Sequence, residues 1–250
     1  MIFLVGCLWL DMQYFLHLPK TAGTSLLAHV RANLPPERLF TVYHGITRQD
    51  FKYYRHLVRP ETLLFGHFSF GFHEFWHDAV PRYATVLRHP VDRVVSFYRY
   101  CLWRPEHPMH PIIVNRGLTL EDFVTARITP ETNNLIVRAL AASYQPLAVL
   151  QDRLCDLLAQ AATQHPVRRC PANRLPTALN NLKYFNHVGS IEKLDETLDF
   201  LLLELGCGPP MTSLTRENVT GDGTTEISEG TRRLFESENE LDMELYLRCS

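Results

Sequence analysis

Residues 14–33 hold the feature that most restricts what this chain can fold into. Tyr14-Phe15-Leu16-His17-Leu18 is a short apolar and aromatic run ended by Pro19, the pattern of a buried strand. The run from Thr24 to Asn33 reads as a helix, with Leu26, Leu27 and Val30 on one face and Pro35-Pro36 as its stop. Only Pro19-Lys20-Thr21-Ala22-Gly23 separates the two. A strand turning into a helix through so short a loop is α/β architecture in miniature, and the rest of the chain repeats the alternation.

Thr62–Phe65 and Tyr83–Leu87 read as further strands, and Pro90 suits the first turn of a helix that runs to about Trp103. Leu120 to about Gln164 looks helical. Asn186–Gly189 looks like another strand end. Leu194–Leu205 is an amphipathic helix ended by Gly206. Residues 207–230 read as a long loop rich in Gly, Pro, Thr and Ser, a length that is often functional. A charged helix, about Glu229 to Leu247, closes the chain. The fold class predicted is α/β: a P-loop-like three-layer arrangement with a central, mainly parallel sheet flanked by helices. No linker divides residues 1–250, so a single domain is expected, with 1–13 as a ragged lead-in.

Composition narrows the partners. A formal net charge of -2 argues against a general nucleic-acid binder, so any anion site must be local. The apolar start stops at Asp11, well short of the roughly 20 residues that span a bilayer, and it has neither a basic flank nor a small-residue cleavage site. No transmembrane segment is expected. The six cysteines form no CxxC pair and are irregularly spaced, which reads as reduced thiols and a cytoplasmic protein, with a truncated membrane-anchored form as the alternative.

Three clusters carry chemistry. The first is the loop itself. A strand-to-helix junction presents free backbone N–H groups and the positive end of the helix dipole. Ala22 and Gly23 are small, Lys20 adds a charge, and Thr21, Thr24 and Ser25 add hydroxyls, so the loop can cradle an anion. Its order differs from G-x-x-x-x-G-K-[ST], because Lys20 precedes the small residues; that weakens an ATPase or kinase reading. The second cluster is Arg88, at the end of a strand, with Ser96 eight residues later on the following helix. A guanidinium fork suits phosphate, and ligands of open α/β sheets gather at the carboxyl ends of strands. Arg93 reads as a structural or ion-pairing arginine. The third cluster is Gly66-His67-Phe68-Ser69-Phe70-Gly71-Phe72-His73-Glu74, between the other two. A histidine there suits a general base near neutral pH, and Glu74 could orient it. His73 and His77 are four apart, but no third ligand suggests a metal site.

Pro19-Lys20-Thr21-Ala22-Gly23-Thr24-Ser25 resembles the 5'-phosphosulfate loop of sulfotransferases that use 3'-phosphoadenosine 5'-phosphosulfate (PAPS), particularly the heparan sulfate 2-O- and 6-O-sulfotransferases and their bacterial relatives. Arg88 with Ser96 resembles the 3'-phosphate motif of that family. The resemblance runs from Phe15 to about Tyr246, though only these two motifs are specific. It implies that Lys20 stabilises charge on the departing phosphate and that residues 20–25, Arg88 and Ser96 hold PAPS. It implies a carbohydrate or glycoconjugate acceptor and no metal. Gly66-His67 resembles the catalytic histidine site of the 2-O type; Ser69–His73 resembles the catalytic region of the 6-O type, leaving His67 favoured over His73. Asn133–Arg138 resembles a segment that would offer Asn134 and Arg138 to acceptor or nucleotide. Thr215–Thr220 resembles a stretch closing over the nucleotide, which would make Arg216 a donor contact and 207–230 a lid. The alternatives are a kinase-type phosphoryl transferase and a non-catalytic nucleotide-binding protein of the same fold.

Overall fold

Alternate residues of the strands leave the sheet on opposite faces, and both faces are apolar. This requires helices on each side. The computed structural model describes residues 12–43, 61–76, 80–142, 166–210 and 227–249. Its five strands are β1 (Gln13–Leu16), β2 (Leu39–Val42), β3 (Leu63–Gly66), β4 (Arg82–Leu87) and β5 (Phe185–Ser190). All pair in parallel, in the order β2-β3-β1-β4-β5.

On one face Phe15, Leu63, Phe65, Ala84 and Val86 pack against α1 (Gly23–Asn33) and the later helix Leu194–Glu204. The Phe15 and Phe65 rings stack at 4.4 Å. On the other face Tyr14, Leu16, Leu64, Tyr83 and Leu87 meet Ile136, Val137, Leu175, Ala178, Leu241 and Leu245. Each such side chain contributes roughly 1.5–3 kcal/mol by leaving water. The result is the expected α/β, three-layer fold.

The helices in chain order are α1, α2 (Pro90–Trp103), α3 (Met109–Arg116), α4 (Leu120–Thr125), α5 (Leu135–Leu140), α6 (Arg174–Asn181), α7 (Leu194–Glu204), α8 (Glu229–Glu238) and α9 (Glu240–Cys249). Strand β2 and helices α3 and α6 were not predicted. The helical stretch expected from Leu120 is broken in its described part. Pro130 starts a short 3-10 turn, and Arg127 and Asn134 adopt φ of 46° and 54°, which an α-helix does not admit. Residues 143–165 lie outside the described part.

The closing helix is two helices, for a reason visible at Asn134. Its Oδ1 accepts from the N–H groups of Leu241 and Asp242 at 2.9 and 3.0 Å, capping α9. Asp242 in turn accepts from Ile136 and Val137 at 3.0 and 2.8 Å, capping α5. Asn239, between α8 and α9, accepts from the Asn134 N–H at 2.9 Å. Two helix starts thus cap one another across more than 100 residues of sequence. Burial pushes the Asp242 carboxyl up to about 6, against the pull of Arg93 and the two capped N–H groups. Asn134→Ala should cost about 1–3 kcal/mol, since it leaves buried N–H groups unpaired and places alanine in the left-handed region. Chemical denaturation checks this.

Among the described residues no helix is long and apolar enough to cross a membrane. Cys101, Cys170, Cys207 and Cys249 are free thiols; Cys7 and Cys155 lie outside the described residues.

Candidate active site at three strand ends

Strand β1 leads through α1 to β2 and β3 on one side, while β4 leads to β5 on the other. The direction of winding therefore reverses between β1 and β4. Ligands of open α/β sheets bind at such a reversal, beyond the carboxyl ends of the strands. The three predicted clusters follow β4, β1 and β3, which are neighbours in that order. Parallel strands lie about 4.8 Å apart, so one small ligand can reach all three ends.

The loop after β1 is held in an unusual backbone form. Lys20 and Ala22 have φ of 70° and 60°, the left-handed region. Alternating turns of this kind gather N–H groups into an anion-binding concavity. Ala22 is the N-cap of α1 and supplies no side-chain cap. The start of α1 therefore offers its N–H groups and dipole to a ligand. Thr21 departs from its expected role: buried, its hydroxyl donates to the Leu18 carbonyl at 2.8 Å and braces the loop. Thr24 is exposed and Ser25 buried. Gly23 is small for a reason the sequence did not show. A Cβ there would lie 2.0 Å from Nε2 of His17, so the glycine makes room for that ring.

The Lys20 Nζ lies 4.1 Å from the centre of the Tyr100 ring, on α2. Burial, then the nearby Arg88, lowers its pKa to about 8. Arg88 donates to the Lys20 carbonyl at 3.3 Å, joining the ends of β1 and β4. Burial lowers Arg88 from its ordinary value, with Asp92 and Glu192 opposing. Ser96 is buried on the second turn of α2. Arg93 is structural: fully buried, it pairs with Glu131 at 2.9 Å and also donates to the Glu131 carbonyl.

His67 immediately follows β3. Its backbone N–H donates to the Val42 carbonyl at 2.7 Å, and its Nδ1 lies 2.7 Å from the His17 carbonyl. A carbonyl only accepts, so the neutral ring carries its hydrogen on Nδ1 and leaves the Nε2 lone pair bare. The residue is solvent-exposed, yet protein crowds the ring enough for desolvation to lower its pKa, opposed by the bond to His17. Gly66 is obligatory here: a Cβ would fall 1.9 Å from the Val42 carbonyl oxygen.

His73 sits elsewhere. Its backbone N–H and its Nδ1 meet the Tyr83 hydroxyl at 3.2 and 3.0 Å, near the start of β4 rather than its end. The rings of Tyr14, Phe70, Tyr83 and Tyr184 surround it, and burial lowers its pKa to about 4. Glu74 is exposed. Asn134 is engaged in the helix caps. Arg138 donates to the Asn133 carbonyl and Oδ1 at 2.8 and 3.1 Å, and to the Arg168 carbonyl at 2.5 Å. The structure commits both side chains to internal partners. His77, Arg216 and most of the expected lid, 211–226, lie outside the described residues. Among the described residues no group of three His, Cys, Asp or Glu could hold a metal ion. Sequence reasoning missed His17 and Tyr43 beside His67, and the rings of Tyr100 and Trp103 beside Lys20 and Arg104.

No family model matches the chain. Heparan-sulfate 6-O-sulfotransferase 3 of Homo sapiens is 26% identical over an alignment of 270 positions, which spans 94% of this chain and 56% of that protein. Its Mus musculus counterpart is 25% identical over the same spans. The chain thus covers about half the length of the curated relatives it matches. The crystal structure of mouse sulfotransferase SULT7A1 complexed with PAP aligns with a TM-score of 0.43 at 14% identity, over 92% of this chain and 85% of that one. The likeness to the two curated sulfotransferases extends over nearly the whole of this sequence.

Proposed function

We propose that the protein transfers a sulfonyl group from PAPS to a hydroxyl of a carbohydrate acceptor. The observation that carries this reading is the row of three strand ends: Arg88, the Lys20 loop and His67, with Arg88 bonded to the loop at 3.3 Å. A donor phosphorylated at two ends suits the first two, and an acceptor hydroxyl suits the third. The loop would hold the 5'-phosphosulfate with the N–H groups at the start of α1 and with Lys20. Arg88 and Ser96 would take the 3'-phosphate. Arg216 is assigned to the donor on sequence resemblance alone.

In the reaction the acceptor oxygen attacks sulfur and its proton passes to Nε2 of His67. The bond from sulfur to the phosphate oxygen breaks, and the electron pair stays on that oxygen, where the Lys20 ammonium stabilises it. The products are a sulfate ester and adenosine 3',5'-bisphosphate. No step requires a metal.

The surface beside Lys20 supports an anionic glycan as acceptor, in keeping with the heparan-sulfate enzymes it resembles. Trp103 is 57% exposed, and the Arg104 guanidinium lies 4.4 Å from its ring centre. Sugar faces stack on aromatic rings, and a guanidinium pairs with carboxylate or sulfate. Tyr100 links this platform to Lys20.

Thermal melts test the donor. At 100 times its dissociation constant a ligand adds about 2.7 kcal/mol, or roughly 5–10 °C for a chain of this size. Adenosine 3',5'-bisphosphate should give that shift and ATP should not. Stabilisation by ATP with magnesium alone would support a phosphoryl transferase instead. Labelled PAPS offered to a panel of sulfated and unsulfated oligosaccharides tests the acceptor.

A further inference from the structure

We propose that His17, backed by Tyr43, is a positioning residue that fixes the tautomer and plane of His67 and ties it to the phosphate loop; this rests on the reading of His67 as the base. The His17 main chain supplies the carbonyl that holds Nδ1 of His67 at 2.7 Å. Its side chain supplies the plane: the two imidazoles stack with centres 4.5 Å apart and 30° between them. Neither ring can tip without disturbing the other.

The His17 ring is itself fixed on its remaining sides. Its Nδ1 shares a hydrogen bond with the Tyr43 hydroxyl at 3.1 Å. Tyr43 also stands at 87° to His67 with ring centres 4.8 Å apart, so one phenol bounds both imidazoles. The opposite edge of His17, Nε2, abuts Gly23 at the start of α1, where any Cβ would collide with it. The imidazole is thus a spacer between the helix that would hold the phosphosulfate and the nitrogen that would take the proton. Both groups must be in place together, and misplacement by about 1 Å can cost on the order of 10²-fold in rate.

The chemistry of the stack favours proton transfer. His17 is buried, and desolvation, His67 and Lys20 all hold it in the neutral form. When His67 accepts a proton, its neighbour therefore presents a neutral π face and not a second cation. Burial raises the Tyr43 hydroxyl well above its ordinary pKa, so it remains a phenol.

The test compares wild type with Tyr43→Phe and His17→Phe. Steady-state kinetics use PAPS and an accepted oligosaccharide, bisphosphate binding is measured by titration, and the imidazole nitrogens are followed by NMR. Wild-type His67 should be protonated at Nδ1 and bare at Nε2. His17→Phe keeps a ring against His67 but cannot bond Tyr43; Tyr43→Phe deletes one oxygen and leaves the packing. Both should lower kcat, His17→Phe by about 10–10²-fold, and loosen the His67 ring so that its Nδ1–H bond to the His17 carbonyl weakens; Tyr43→Phe, which adds no bulk beside Gly23, should leave bisphosphate affinity unchanged. A wild-type His67 protonated at Nε2, unchanged kcat in both variants, or a loss of bisphosphate affinity in Tyr43→Phe matching its loss of kcat would overturn the proposal. If wild type sulfates no acceptor, the function proposed above fails, while the NMR comparison still decides whether His17 orders His67.

Discussion

His67→Ala is expected to lower turnover by about 10²–10⁴-fold, the usual contribution of a positioned general base, while the protein binds adenosine 3',5'-bisphosphate as wild type does. That separation is expected because the groups proposed to bind the anion, at the start of α1 and at Arg88, belong to other strand ends. The imidazole is suited to the task by its tautomer, with Nδ1 held on the His17 carbonyl and Nε2 left as a lone pair. Its lowered pKa keeps it unprotonated through the neutral range. Sign follows directly: activity falls as pH drops through that lowered pKa, because the protonated ring cannot accept a second proton. His73→Ala provides the contrast. With Nδ1 on Tyr83 and four rings around it, His73 should affect stability more than turnover. Measuring kcat and the bisphosphate dissociation constant for both variants decides between them. A folded His73→Ala protein that has lost turnover, beside a His67→Ala protein that keeps it, would move the base to His73.

The parts of this arrangement legible in the sequence are those governed by local chemistry. The run from Tyr14 to Asn33 announces strand, loop and helix because apolar spacing and prolines act within a few residues. The pairing of Arg88 with Lys20, 68 residues apart, could be expected only as two strand ends meeting one crevice. The roles of Gly23 and Asn134 were not legible. Gly23 answers to the His17 ring, and Asn134 caps a helix 107 residues away; neither partner has a sequence signal. The closing charged helix seemed continuous for the same reason. The break at Asn239 is met by Asn134, from outside the segment. Strand β2 escaped notice because its residues Leu39–Val42 are few and only Val42 is buried.

Lys20→Ala should reduce kcat/KM for the donor by about 10²–10³-fold, the loss typical of removing one preorganised group that meets developing charge. The effect exceeds that of an exposed lysine because this ammonium is half buried against Tyr100 and beside Arg88. Its surroundings also give it a pH signature. With a pKa near 8, Lys20 is charged below that value and neutral above it. The charged form is the one that would bind phosphate and stabilise the leaving oxygen in the proposed reaction, so kcat/KM should decline as pH rises through about 8. A bound phosphosulfate favours the ammonium and raises its pKa again, so the corresponding limb in kcat should appear at higher pH. Lys20→Arg keeps a charge that does not titrate in this range. It should therefore abolish the alkaline limb of kcat/KM even though the longer, planar group fits the loop less well and lowers the rate. A wild-type profile flat to pH 10, or an alkaline limb that survives in Lys20→Arg, would remove Lys20 from the role of leaving-group stabiliser and leave the loop as a backbone anion site.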